Sequence, residues 1–295
     1  MKMSRQLSLL VAVCGFSAVL LRLIGALLFY DGAGFFTGNT PLLRVSGWLV
    51  FAAVVLTLLA FLPRRQEGRV LLSVTSPLFY IPTALTALCT IPQFLHLFRA
   101  VGAAESTAAR VCAVLSLLFL LLGIAHLVLL SIYELPAAGH WRVYLAFALP
   151  LYFCAYTAFL YFDSALPLSS SCKVADQLAM LACAIYLLSE IRLCLGRGKR
   201  PLCLCCGVIA AVLCAYSAFP ALVVYFVQGK AMSHAVSESI LTAAMAILAF
   251  CRVLHLAGLP TDRVSPLVSA LCEKKPAAPA PGETATETNN DKGNA

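Results

Sequence analysis

Eight uninterrupted apolar stretches, at about 6–30, 42–62, 70–98, 107–132, 141–162, 173–195, 201–227 and 232–257, dominate the chain and constrain it more than any other feature. A helix needs about 20 apolar residues to cross a hydrocarbon core. Each stretch is long enough, and each is apolar around its whole circumference rather than along one stripe. The short alternating segments of a transmembrane β-barrel, about ten residues each, are absent. Composition agrees. The chain is 61% hydrophobic and 12% charged, whereas soluble domains carry about 25% charge; so few charges cannot cover a soluble surface. The expected fold class is all-α, a polytopic transmembrane bundle of about eight helices with a lipid-facing surface.

The first stretch follows Lys2 and Arg5 as a signal peptide would, but it is too long for an h-region and no small-residue cleavage site follows. It reads as a retained helix. Orientation comes from basic residues in short loops. Lys2, Arg5, Arg64, Arg65, Arg69, Arg142, Arg197, Lys199, Arg200, Arg263, Lys274 and Lys275 fall on one side, against Arg99, Arg110, Lys173 and Lys230 on the other. The first side is therefore expected to be cytoplasmic and to hold both termini. The net charge of +8 is mostly this asymmetry, and positives scattered over loops do not make a nucleic-acid surface. The expected organisation is a transmembrane bundle over 1–258 and a cytoplasmic tail over 259–295. From about 276 the tail is too rich in Pro, Ala, Thr, Glu and Asn to order itself.

Several marks recur in order at an offset of about 128–135 residues. Tyr30-Asp31 recurs as Phe162-Asp163, Arg64-Arg65 as Lys199-Arg200, Pro92 as Pro220, and His126 as His255. A four-plus-four tandem duplication, 1–135 and 136–258, accounts for them; chance alignment in a small apolar alphabet is the competing account. Four helices per half would relate the halves by an axis along the membrane normal, as in parallel transporter repeats. Arg44 then aligns with Asp176, and Arg110 with Glu238.

Ionisable groups at membrane depth are costly and usually face the bundle interior with a partner. On the outer side these are Arg22, Arg44, Asp176 and Glu238, with Gln93, His96 and His234 near the same depth. Prolines in corresponding helices of two repeats point to a binding site in transporters, which adds Pro92 and Pro220. The candidate substrate-binding set is Arg22, Arg44, Pro92, Gln93, His96, Asp176, Pro220 and Glu238. Ion pairs that only fix helix packing, and snorkelling side chains, are the alternative. Asp176 or Glu238 is expected within salt-bridge range of Arg22 or Arg44. On the inner side Glu190 needs a partner, and Arg252 is the first choice.

Chemistry-bearing motifs are scarce. His-Glu-x-x-His, Gly-x-Ser-x-Gly and a phosphate-binding glycine loop are all missing. Most of the 13 cysteines sit inside apolar stretches and read as small buried side chains. Cys203, Cys205 and Cys206 lack a second ligand pair for a metal. His126 and His255 do not make a convincing haem pair. No cofactor, metal or catalytic residue is expected. Small residues four apart, Gly207, Ala211 and Ala215 on the seventh stretch and Ala235, Ser239 and Ala243 on the eighth, predict close packing of those two helices.

The segment Tyr161-Phe162-Asp163-Ser164, Pro167-Leu168, Lys173, Gln177-Leu178-Ala179 and Leu188-Ser189-Glu190-Ile191-Arg192 resembles a stretch of uncharacterised multi-pass membrane proteins of anaerobic Gram-positive bacteria. The resemblance covers about a tenth of the chain, implies a bacterial plasma membrane and implies no activity. The expected partners are the lipid bilayer and an unknown solute or protein. Two functions from different classes follow: transport of a small solute, lipid or ion between the two halves, or a non-transporting sensor or scaffold. An intramembrane enzyme ranks third.

Overall fold

The computed structural model describes residues 5–32, 35–36, 41–61, 77–104, 106–132, 141–164, 167–195 and 198–258. The tail from 259 and the basic residues Arg64, Arg65, Arg69 and Arg197 lie outside the described residues.

The helices are α1 (Arg5–Phe29), α2 (Pro41–Phe61), α3 (Pro77–Ala103), α4 (Thr107–Ile132), α5 (Trp141–Ala146), α6 (Ala148–Phe162), α7 (Ser171–Cys194), α8 (Arg200–Gln228) and α9 (Val236–Gly258). Eight spans are long and apolar enough to cross a membrane, with α5 and α6 sharing one of them. The chain is an all-helical membrane bundle, and large apolar side chains such as Phe16, Trp48, Ile81 and Phe226 cover its outside.

Local chemistry sets the ends. α2 and α3 open on proline and α8 carries Pro201 in its first turn, where a missing N–H is not needed. α7 starts at Ser170, whose hydroxyl accepts from the Cys172 amide. α8 closes on Gly229, left-handed at φ 69°, whose amide donates to Tyr225 O. The fifth span is broken at Phe147. Pro150 has no amide for the Ala146 carbonyl and its ring crowds that carbonyl, so α5 ends there and α6 restarts. The third span runs to Ala103 rather than 98, with Arg99 exposed at its end. The eighth starts at Val236 rather than 232.

Packing gives a closed ring of six helices in the order α3, α4, α6, α7, α8, α9, with α9 returning to α3. The α1–α2 hairpin docks outside it, against α8. Burial follows this plan: the most apolar windows of α1 and α2 are each 22% buried, those of α7 and α9 each 56%. α8 and α9 pack closely, as their small residues predict. A Cβ on Gly207 would come within 2.5 Å of Val253 Cγ2 and 3.0 Å of Tyr186 Cε2, so three helices meet at this glycine. Gly123 admits Leu149 between α4 and α6 in the same way, at 2.7 Å. On the α7–α8 seam the buried thiols of Cys183 and Cys214 lie 3.1 Å apart.

Contacts between distant residues show which loops share an end. Tyr30 OH donates to Ala231 O (2.6 Å), Gln228 Nε2 donates to Leu27 O (2.7 Å), and His234 touches both His96 and Asp163. The connections after α1, α3, α6 and α8 are thus together, at the His234 end of the bundle. Arg200 donates to Leu256 O (2.6 Å) at the opposite end. The ring does not treat the chain's halves alike. α1 and α2 stand outside, whereas the spans aligned with them, α5–α6 and α7, are part of it. Packing therefore lends the four-plus-four duplication no support.

Candidate functional site

The His234 end of the ring gathers polar side chains from four helices and one loop. α6 carries Tyr152, Tyr156 and Phe159 at spacings of four and three, which places them along one face, and Asp163 caps its C-terminus four residues on. The Tyr152 and Tyr156 rings stack with centroids 5.6 Å apart. Tyr156 OH donates to Glu238 Oε2 at 3.1 Å. Glu238 is the third residue of α9, and Tyr156 lies six residues, about 9 Å of helix rise, before the end of α6. The start of α9 is thus recessed below the bundle's edge, and Glu238 is 1% exposed.

Opposite, on α3, Gln93 is fully buried and its Oε1 accepts from Ser237 Oγ at 2.8 Å. Gln93 Nε2, Tyr152 OH and Glu238 Oε1 make no hydrogen bond of normal geometry, but the Gln93 amide lies near both tyrosine hydroxyls and the Ala235 amide near the Glu238 carboxyl, each close enough for a weak hydrogen bond. The three atoms come from α3, α6 and α9, and Glu238 is an electrostatic neighbour of both tyrosines. Leaving such groups unsatisfied costs about 1–3 kcal/mol each.

Above this lies a chain of titratable groups. His96 Nε2 is 3.2 Å from His234 Nδ1, and His234 Nε2 is 3.0 Å from Asp163 Oδ2. The edge of Phe159 packs against the His234 ring, with centroids 5.4 Å apart. Lys173 Nζ donates to Asp163 O at 2.7 Å. Leu160, Asp163, Lys173, Asp176 and His234 line a narrow crevice of about 190 Å³, including the space at its mouth; it is too tight to enclose a water molecule.

The expected site residues divide. Gln93, His96 and Glu238 meet in this cluster, and Asp176 borders it. Asp176 is buried on α7 and takes a short hydrogen bond from Ser217 Oγ on α8. Pro220 is buried on α8, but Pro92 is exposed on α3, so the aligned prolines do not share an environment. Arg44 is exposed on α2 and takes no part.

The expected salt bridge is corrected. Among the described residues neither Arg22 nor Arg44 forms an ion pair with Asp176 or Glu238. Arg22, 4% exposed, instead lies over the Tyr216 ring, 4.3 Å from its centroid. It remains an electrostatic neighbour of Asp176. A ring face attracts a guanidinium without needing a full anion, and the Asp176 carboxylate is engaged by Ser217.

The expected inner pair is found. Arg252 Nη1 donates to Glu190 Oε1 and Oε2 at 2.7 and 2.6 Å. Its Nη2 donates to Thr83 Oγ1 at 3.1 Å, and its guanidinium sits 4.5 Å from the Phe79 ring centroid. Cys203 and Cys205 are buried and Cys206 partly so. Among the described residues no group of three His, Cys, Asp or Glu side chains is arranged to hold a metal ion.

Asp163, His234, Tyr152, Tyr156, Ser217 and Ser237 were not among the candidate residues. The α6 residues were legible as a single helical face ending in an acid. His234 was read at the right depth but its partners were not, because its contacts depend on how the α8–α9 loop folds back.

Comparison with known protein families, with characterised proteins and with solved structures finds no match to this chain.

Proposed function

We propose that the chain is a transporter that moves a small solute or ion across the membrane through the site between α3 and α6–α9. The observation that carries this reading is the buried cluster of Gln93, Tyr152 and Glu238, with three at best weakly bonded polar atoms converging from three helices. A purely structural polar network tends to satisfy its members, because a half-satisfied one is worse than an apolar core. A network left open fits a group that arrives and leaves. Asp163, Lys173, Asp176 and His234 line a narrow crevice above it, which would have to widen to admit a solute. The loop charges favour a cytoplasmic location for both termini, which makes the His234 end the outer one. The resembling segment favours a bacterial plasma membrane.

The test is reconstitution in proteoliposomes, with uptake measured for labelled small cations, anions and neutral metabolites. Transport predicts uptake of at least one class, lost in Glu238→Gln and retained in Arg44→Gln. Uptake of every class no faster than in empty vesicles, with the protein folded, would favour the sensor or scaffold reading instead.

A further inference from the structure

We propose that Asp163, His234 and His96 form a proton relay that loads and unloads Glu238, so that the ion driving or accompanying transport is the proton. This rests on reading the buried cluster as the transport site. The geometry is that of a wire. Asp163 Oδ2 meets His234 Nε2 at 3.0 Å, and His234 Nδ1 meets His96 Nε2 at 3.2 Å. An imidazole can take a proton on one ring nitrogen while releasing one from the other. The relay groups are partly exposed, Asp163 at 21%, His234 at 11% and His96 intermediate, whereas Gln93 and Glu238 are 0% and 1% exposed.

One turn deeper than His96 on α3 is Gln93, which accepts from Ser237, the residue beside Glu238. The relay thus reaches the hydrogen-bonded shell of the buried carboxyl. Glu238 has no ion-pair partner among the described residues, and only neutral donors stand beside its carboxyl, the Tyr156 hydroxyl and the Ala235 amide. A charge alone at membrane depth costs several kcal/mol, and a proton on Oε1 removes that cost.

The step balances without any further reactant. A proton from water at the surface binds Asp163 and passes to His234 Nε2 as the Nδ1 proton leaves for His96. No hydrogen bond joins His96 to Glu238 in this conformation, so the His96 ring must turn inward past Gln93 to deliver one to Glu238, which becomes the neutral acid. Each histidine ends neutral, and Glu238 has gained one proton.

The charged and titratable neighbours are compatible with this. His96 has Arg99 one turn along its own helix, together with His234 and Asp163. From α7, Asp176 faces both His234 and Glu238, and Lys173 faces Asp163. From α6, Tyr152 and Tyr156 face Glu238. On the α1 side, Arg22 faces Asp176. Arg22 and Lys173 offset the Asp176 and Asp163 charges, which leaves Glu238 as the acid without a cation beside it.

Infrared difference spectroscopy of the reconstituted full chain tests the relay without knowledge of the solute. A carbonyl band from a protonated, buried carboxyl should respond to external pH, vanish in Glu238→Gln and shift in Glu238→Asp. His234→Gln and His96→Gln should keep the band but slow its exchange in heavy water by on the order of tenfold or more. A band unaffected by Glu238→Gln, or exchange unchanged in both histidine variants, overturns the relay. Solute uptake with a silent carboxyl would sink the relay and leave transport standing. A titrating Glu238 without any solute uptake would do the reverse.

Discussion

Arg22 and Arg252 meet the same problem, a guanidinium in a low-dielectric bundle, by different means. Arg252 has both oxygens of Glu190 on one nitrogen, Thr83 on the other and the face of Phe79 beneath. Breaking a buried pair by removing one partner costs about 3–5 kcal/mol, because the remaining charge is left alone. Glu190→Gln should therefore lower the thermal midpoint in detergent sharply, and a Glu190→Leu, Arg252→Met double variant should recover most of the loss. Arg22 has an aromatic face in place of an acid. Tyr216→Leu should cost about 0.5–2 kcal/mol, measured by chemical denaturation, and Asp176→Asn less, since an amide oxygen still accepts from Ser217. The reverse order would mean that Arg22 relies on Asp176 after all. Arg252 was the first choice for Glu190 from the sequence, because opposite charges in a low-dielectric interior should not stay apart. Arg22 could not be placed, because an aromatic ring is invisible to charge counting.

At the scale of helices, small residues were the most readable packing signal. Gly207 lies where α7, α8 and α9 converge, and an added methyl would meet Val253 and Tyr186 inside normal contact distance. Gly207→Ala should destabilise by about 1–3 kcal/mol through forced separation. Gly47→Ala on α2 has nothing within 4 Å and should leave the thermal midpoint unchanged or slightly higher. Equal effects at the two positions would show that α8 and α9 are looser than their spacing indicates. Hydropathy located every span but not the interruption in the fifth, since apolar content is continuous across Phe147 and only the missing amide of Pro150 breaks the helix. Nor did it reveal the recessed start of α9, which depends on loop 229–235 turning into the bundle.

For the whole molecule, the alternation of spans predicts sidedness. Reporter fusions or cysteine labelling should place residues 62–76, 133–140, 195–199 and the tail in the cytoplasm, and Asp31, Ala104, Asp163 and Lys230 outside. A tail found outside would reverse the assignment of the His234 end and with it the direction of proton entry. What the linear chain did not disclose is neighbour order. Repeated marks suggested two equal halves, whereas the bundle is a ring of six with a hairpin beside it. Ring closure depends on the mutual fit of faces contributed by residues more than a hundred positions apart, and a single apolar alphabet does not encode which faces fit.

The hairpin's place has a consequence for how the protein is made. α1 and α2 leave the ribosome before the ring, yet the ring helix they dock on is α8, which arrives about 140 residues later, roughly 7–28 s at ordinary elongation rates. During that interval the hairpin stands in the bilayer with Arg22 still lacking the Tyr216 face it will rest on. A chain assembled in that order should tolerate being cut where the hairpin ends. Residues 1–66 and 67–295, synthesised as separate polypeptides in the same cell, should find each other and copurify. Tyr216→Leu should weaken that reunion more than it weakens the intact chain, because covalent tethering no longer supplies the high local concentration.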